Sequence, residues 1–393
     1  MTDQPLEGVT VADFGQFIAG PLVGQLLSDL GARVVKVEPI QGDAARAASD
    51  LGSAMIQTNN RDKQSLALDL RRPEGFEIAR RLLVASDVLI ENMRPGAMDR
   101  LNLSAESVNA INPRLVYLSI TAFGKGEQQP RPGLDIAAQA ESGMMSVTGE
   151  ANGGPLRVGF TVVDNATGYA ATAAVLAALL KRERTGRGSV IDISLLEVAV
   201  HLQGTAWTTL FDTGVEPERS GNGYPNAAPA ADVLTVRDGA IVVSAYTPAH
   251  WTRLCSALNR PDLVTHPSYA TNDARVTNRA GLISELTAAL ASYDAAGAVE
   301  FLNSHGIVAG VVRSYRQVVQ SEDAQRLDLF PRTGPDFGYH YPATPFSFRG
   351  TRRKQSHSAP ALGADSRAVM LDLGYSPAFI DHLVASGVVG DPT

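Results

Sequence analysis

Two aspartates stand where a carboxylate could act on a carbonyl group. Asp164 lies in VVDNATG, just ahead of a long apolar segment, and Asp135 lies in RPGLDIAAQ, between a glycine turn and an expected helix. An ionised carboxylate beside an activated acyl group can attack it to give a covalent acyl-enzyme, without a metal or a thiol. Both aspartates also suit a plainer role, because aspartate is a favoured helix N-cap. For Asp164 two details favour chemistry: a buried helix places its N-terminus inside the molecule, and the flanking Gly159 and Gly168 leave room for a ligand. Amides at that helix end are expected to hold Asp164 ionised and to stabilise an oxyanion.

The segment ENMRPGAMDRLNL places Asn92 after an expected strand, with Arg94 and Arg100 close behind a Pro-Gly turn. Arginines at the C-terminal mouth of a parallel sheet suit phosphate, and solvated surface charge explains them equally well. The turn GQFIAG, Gly15 to Gly20, with Glu38 closing the next strand, imitates a dinucleotide fingerprint, but Phe17 occupies the place of its middle glycine. A side chain there blocks the approach of backbone to a pyrophosphate, which argues against a nicotinamide. Cys255 in HWTRLCSAL has only His250 nearby and reads as a packing residue, and the seven histidines form no HExxH pair, so no metal site is expected.

These residues need a scaffold that brings loops together. VTVADF, PLVGQLLSDLG and ARVVKVE read as strand, helix and strand, a parallel βαβ unit ended by Gly31. The pattern recurs through SLALDL, a helix from Pro73 to Ala85, DVLIEN and RLVYLSI, and predicts a doubly wound α/β sheet. A Gly-rich stretch from Thr121 to Gly159 leads to a helix over Asn165–Arg184 that is apolar on nearly every face and so should be central. IDISLLEVAV then reads as a strand running into a helix. From Pro225 the texture changes to a hairpin, VLTVRDGAIVVSAY, and Ala-rich helices, the pattern of a smaller α+β domain. A Pro-rich connection from Pro331 to Pro345 precedes a helical tail over Gly363–Val389. The expected division is 1–220, 225–325 and 330–393.

Composition narrows the function classes. The 393 residues suffice for two or three domains, and 34 Lys plus Arg against 41 Asp plus Glu give a net charge of −7, with no basic surface for nucleic acid or anionic lipid. One cysteine cannot form an intrachain disulfide, the N-terminal residues carry no signal-like apolar run, and the apolar stretch Gly168–Leu180 is short of a membrane span, so a cytoplasmic protein is expected.

GVTVADFGQFIAGPLVGQLLSDLGARVVKVEP, LALDL, DVLIENMRPGAMDRL, NPRLVYLSITAFG, RPGLDIAAQAESGMMSVTGE, LAALLKRERTGRG and LGADSRAVMLDLGYS occur in the order of, and together resemble, the class III coenzyme A transferases, the CaiB/BaiF family. The resemblance covers nearly the whole chain. It implies a Rossmann-like large domain made from both chain ends, a small domain inserted between them, and a homodimer of interlocked rings. It places the nucleophile on Asp164 and an acidic partner, positioning a carbonyl, on Asp135. Acyl-CoA contacts fall on Ile18, Ala19, Leu68 to Arg71, Asn92, Met93, Arg94 and Arg100, with Arg71, Arg94 and Arg100 toward phosphate or adenosine and Pro132 to Leu134 along the pantetheine. The implied cycle passes through an aspartyl anhydride and an aspartyl-CoA thioester, exchanging one carboxylic acid for another, with CoA as substrate and no resident cofactor.

The chain also departs from particular members. Formyl-CoA transferases carry Gln at the position of Ile18, Tyr at that of Leu134 and a glycine-rich lid where this chain has YPNAAPAAD, so formate and oxalate are not expected substrates. The related 2-methylacyl-CoA racemases place a histidine base where this chain has Leu134, which cannot carry a proton, and racemisation stands as the alternative reading.

Overall fold

A computed structural model describes residues 4–124, 131–223, 229–334, 338–349 and 356–392. Part of the YPNAAPAAD segment, residues 224–228, lies outside the described residues. The chain divides into two compact units, one of residues 1–144, 158–208 and 327–393, the other of 145–157 and 209–326. The stretch 145–157 thus leaves the larger unit, an excursion that the division at 220 did not anticipate.

The larger unit is built on β1 (Thr10–Asp13), α1 (Ala19–Asp29), β2 (Arg33–Glu38), α2 (Ser49–Asn59), β3 (Gln64–Leu68), α3 (Pro73–Val84), β4 (Val88–Glu91), α4 (Ala97–Arg100), α5 (Ala105–Ile111) and β5 (Val116–Thr121). It continues through α6 (Asp135–Glu141), α7 (Met144–Val147), α8 (Val162–Thr185), β6 (Ser189–Ser194), α9 (Leu195–Leu202) and α10 (Gly204–Thr213), of which α7 and α10 run into the smaller unit. β2, β4 and β5 are rich in Val, Leu and Ile, and in these strands and β1 nearly every residue is buried, the signature of a parallel sheet covered on both faces.

With β10 (Val389–Gly390) the sheet has the order β10-β3-β2-β1-β4-β5-β6, parallel throughout except for β10, which runs antiparallel to β3. The C-terminal segment is tied back to β3: Asp365 accepts from the Ser65 N–H at 2.9 Å, and Gly363 N–H donates to Ser65 Oγ at 2.9 Å. Two apolar layers enclose the sheet. One joins α1, α6, α8 and α9 through Val23, Leu27, Ala138, Val175 and Ala199; the other joins α3 and the C-terminal helices through Ile78, Leu82, Met370 and Ile380.

The helix expected to be central needs a correction. α8 is long and apolar enough to cross a membrane by length and composition, yet Val163, Ala171, Val175, Ala178 and Leu179 pack into the core, where it lies against α1. Its other face, with Tyr169, Ala173, Ala177 and Leu180, is exposed in the single chain. Alanine suits either environment, so an all-apolar helix need not be covered on every side. None of the residues of α10 is buried, and Phe211 is 79 % exposed.

The smaller unit carries β7 (Ala231–Val236), β8 (Gly239–Ser244) and β9 (Val308–Val311) in one antiparallel sheet, β7-β8-β9. Val236 pairs with Gly239 across the expected turn. Leu234, Ile241, Trp251, Leu254, Leu282, Leu286 and Leu302 form its core.

Candidate active site

The strand order reverses between β1 and β4, and the loops after these strands, 14–18 and 92–96, open at the same edge of the sheet. Ligands of doubly wound sheets bind in the crevice at such a switch point. The first loop is firmly held from beneath. Asp13 Oδ1 accepts from the Gly15 N–H at 2.8 Å, and a Cβ on Gly15 would lie 2.7 Å from that oxygen, so only glycine fits there. Lys36 donates to the Gly15 carbonyl at 2.8 Å and to Asp43 at 3.0 Å, all buried. Lys63 donates to Asp13 at 2.7 Å, to the Pro21 carbonyl at 2.8 Å and to Asn60 at 2.9 Å. Burial pushes the Lys63 ammonium down to about 8, against the pull of Asp13.

Phe17 has φ 61°, the left-handed conformation that costs a β-carbon-bearing residue roughly 1–2 kcal/mol, and its N–H donates to both Asp43 oxygens at 3.3 and 3.2 Å. The missing middle glycine is therefore replaced by a phenylalanine held in a glycine-like conformation. Asn92 closes the loop from the other side, accepting from the Gln16 N–H at 2.8 Å and donating to the Gln16 carbonyl at 2.9 Å. Its amide thus joins the two loops of the crevice.

The other expected contact residues separate by exposure. Ile18 and Met93 are half-buried, and Ala19 is buried at the start of α1. Arg94 and Arg100 are exposed and form no ion pair among the described residues, which leaves their guanidinium forks open to an anion. Arg71 is exposed and paired with Asp69, Nε to Oδ1 at 2.9 Å, and this hydrogen bond holds the Asp69 carboxyl below its usual range. Leu68 is fully buried in the sheet, so its side chain is closed to a ligand and the expected contact narrows to its backbone. Leu134, the N-cap residue of α6, is 65 % exposed.

The two aspartates meet at the start of α8, but in roles that differ from expectation. Asp164 is the third residue of α8, not its cap, and Thr161 in the cap position makes no side-chain cap. The cap comes from another helix: Asp135 Oδ2, at the start of α6, accepts from the Val163 N–H at 2.8 Å and the Asp164 N–H at 3.0 Å. Asp135 is buried, and its other oxygen accepts from the Gln139 side-chain amide, whose own oxygen accepts from the Val158 N–H at 2.9 Å. The helix-end amides therefore serve Asp135, not Asp164. The Asp164 carboxylate is half-buried and accepts no hydrogen bond from the described residues. Burial, reinforced by the negative charge of Asp135, pushes its carboxyl up to about 7, opposite in direction to the lowering expected from the helix end.

Close packing makes this arrangement possible. A Cβ on Gly168, one turn along α8, would lie 2.6 Å from Leu22 Cδ2, so this glycine lets α8 approach α1 and does not leave the expected room for a ligand. Gln139, Lys36, Asp43 and Lys63 were not among the expected residues. The spacing of four between Asp135 and Gln139 on a short helix was the available signal for the first. Among the described residues no group of acidic, histidine or cysteine side chains could hold a metal ion. Cys255 is buried in the smaller unit, and burial pushes its thiol up to about 12, far from thiolate chemistry.

Comparison with known proteins agrees over most of the chain. A family model described as CoA-transferase family III matches residues 6–366. A probable fatty acyl-CoA transferase of Mycobacterium tuberculosis is 39 % identical over 387 residues, 94 % of each chain, and a succinyl-CoA:glutarate CoA-transferase of Mus musculus is 32 % identical, covering 98 % of this chain and 90 % of its own. The crystal structure of a CaiB/BaiF family protein from Brucella suis superposes with a TM-score of 0.86 at 32 % identity, covering 95 % of this chain and all of that one. The chain belongs to CoA-transferase family III and is an enzyme of the CoA-transferase class.

Proposed function

We propose that this enzyme moves coenzyme A from an acyl-CoA donor to a carboxylic acid, with Asp164 as the covalent nucleophile. One observation carries the assignment: Asp164 offers a half-buried carboxylate free of cation and hydrogen-bond partners among the described residues, at the end of a helix whose amides are already engaged. A carboxylate so weakly stabilised is more basic, and in its ionised form more nucleophilic, than one in water.

An Asp164 oxygen adds to the thioester carbonyl, the C–S bond breaks, and CoA leaves as thiolate, giving a mixed anhydride. The thiolate attacks Asp164 Cγ, the donor acid leaves as carboxylate, and an aspartyl-CoA thioester results. The acceptor carboxylate then attacks the same Cγ and expels the thiolate, which attacks the acceptor's acyl carbon and frees Asp164. No proton is gained or lost over the cycle, and every intermediate stays activated, so water must be kept out.

Coenzyme A is assigned to the crevice between the 14–18 and 92–96 loops. Arg94 and Arg100 would face its phosphates, with Ile18, Ala19, Met93 and Leu134 along its length and Arg71 at the adenosine end. The half-exposed apolar face of α8, the uncovered α10 and Val215 at 65 % exposure support a homodimer that covers them. A single buried cysteine agrees with a cytoplasmic setting.

Asp164→Ala should reduce exchange of labelled CoA between acyl-CoA and acid by at least about a thousandfold, while CoA still binds. Exchange within tenfold of the native rate would reject Asp164 as the nucleophile. Leu134 offers no proton, so deuterium uptake at the α-carbon of 2-methylacyl-CoA should be absent without an acceptor acid.

A further inference from the structure

We propose that Gln139 is a positioning residue for CoA transfer, which acts through Asp135 to fix the first turn of α8 and with it the direction in which Asp164 presents its carboxylate. The inference rests on the assignment of Asp164 as nucleophile. Gln139 is completely buried and stands four residues after Asp135, so both side chains lie on one face of α6. Its amide N–H donates to Asp135, and its amide oxygen accepts from the Val158 N–H at 2.9 Å. Asp135 in turn accepts from Val163 and Asp164 at the head of α8.

One side chain therefore joins three segments: α6, the chain arriving at Val158, and the first turn of α8. That link requires one donor and one acceptor at fixed spacing. A carboxylate lacks the donor and a hydrocarbon lacks both. An amide also orients Asp135 without cancelling its charge, as a lysine or arginine would. A displacement of about 1 Å at a reacting group can lower a rate about a hundredfold, so small slack in this link should reach the chemistry.

Gln139→Leu should lower kcat about 10- to 100-fold while KM for acyl-CoA moves less than about threefold. Gln139→Glu keeps an acceptor for Val158 but brings a second carboxyl against Asp135, a pair that fits only when it shares a proton. Its kcat relative to native should therefore rise as pH falls from about 8 to about 6, a trend that general damage to the fold would not produce. The charged groups on α6 and on the helices packed against it are Asp135 and Glu141 on α6, Asp164 at the head of α8 with Lys181, Arg182, Glu183 and Arg184 at its far end, and Glu197 and His201 on α9. Glu197 accepts from Ser194 Oγ at 2.6 Å, Glu141 pairs with Arg131 at 2.9 Å, and His201 is exposed.

A Gln139→Leu enzyme with kcat within twofold of native overturns the proposal, and so does a Gln139→Glu ratio that ignores pH. Should Gln139→Leu fail to fold, the Gln139→Glu ratio decides alone. Covalent labelling of Asp164 by acyl-CoA separates the two levels. A native protein that is never labelled rejects Asp164 itself, whereas native labelling with an unchanged labelling rate in Gln139→Leu rejects only the role of Gln139.

Discussion

Asp164 has a proton affinity set by what it lacks. Its helix supplies amides, but Asp135 takes them, so burial, reinforced by the nearby charge of Asp135, raises the Asp164 carboxyl to about 7. The consequence for stability has a definite sign. An acid whose pKa is raised by folding loses stability once pH exceeds the unfolded value near 4, and the loss grows until pH passes the folded value. Asp164→Asn should therefore be more stable than native by the order of 1–3 kcal/mol at pH 8 and nearly equal at pH 4, measured by urea unfolding at both values. A gain of the same size at both pH values would show that the carboxylate is not strained by its surroundings. Both aspartates stood out in the sequence, but which of them caps α8 did not. The cap on α8 comes from a residue 29 positions earlier on a different helix, and local sequence carries no trace of such a contact.

At the scale of the elements, the site depends on α8 lying close to α1. Gly168 is the point of approach, where an added methyl would lie 2.6 Å from Leu22 Cδ2 and 2.8 Å from Leu22 Cγ. Gly168→Val should lower stability by about 1–3 kcal/mol through overpacking. Combined with Leu22→Ala the loss should be smaller than the sum of the two single changes, because the second removes the atoms that clash. Strict additivity in a thermal-unfolding cycle would place the strain elsewhere. The parallel strands were legible because Val, Ile and Leu runs between helical stretches have few other solutions. The two-residue β10 was not, since a strand so short has no periodicity and depends on long-range contacts, such as that of Asp365 with Ser65, that hold the C-terminal segment beside β3. Leu68 shows the same limit from the other side: it closes a motif, and the strand that carries it turns its side chain into the core.

For the whole molecule, the sheet order brings the 14–18 and 92–96 loops to one edge, and the buried lysines Lys36 and Lys63 brace the first of them. Doubly wound topology was readable from alternating elements, whereas the bracing was not, because neither Lys36 inside β2 nor Lys63 just before β3 gives any sign in the sequence of being buried. The exposed Leu180, Phe211 and Val215 make a mass prediction: light scattering should give two copies of the 41.5 kDa chain, and a monomer at micromolar concentration would contradict the homodimer. The central claim, that a carboxylate of this chain carries the acyl group and then CoA, is tested most directly by mixing the enzyme with acyl-CoA, quenching with hydroxylamine and mapping peptides by mass. The mass change of a hydroxamate on Asp164 alone is the expected result. Turnover with Asp164 unmodified, or with the mark on another carboxylate, would contradict it.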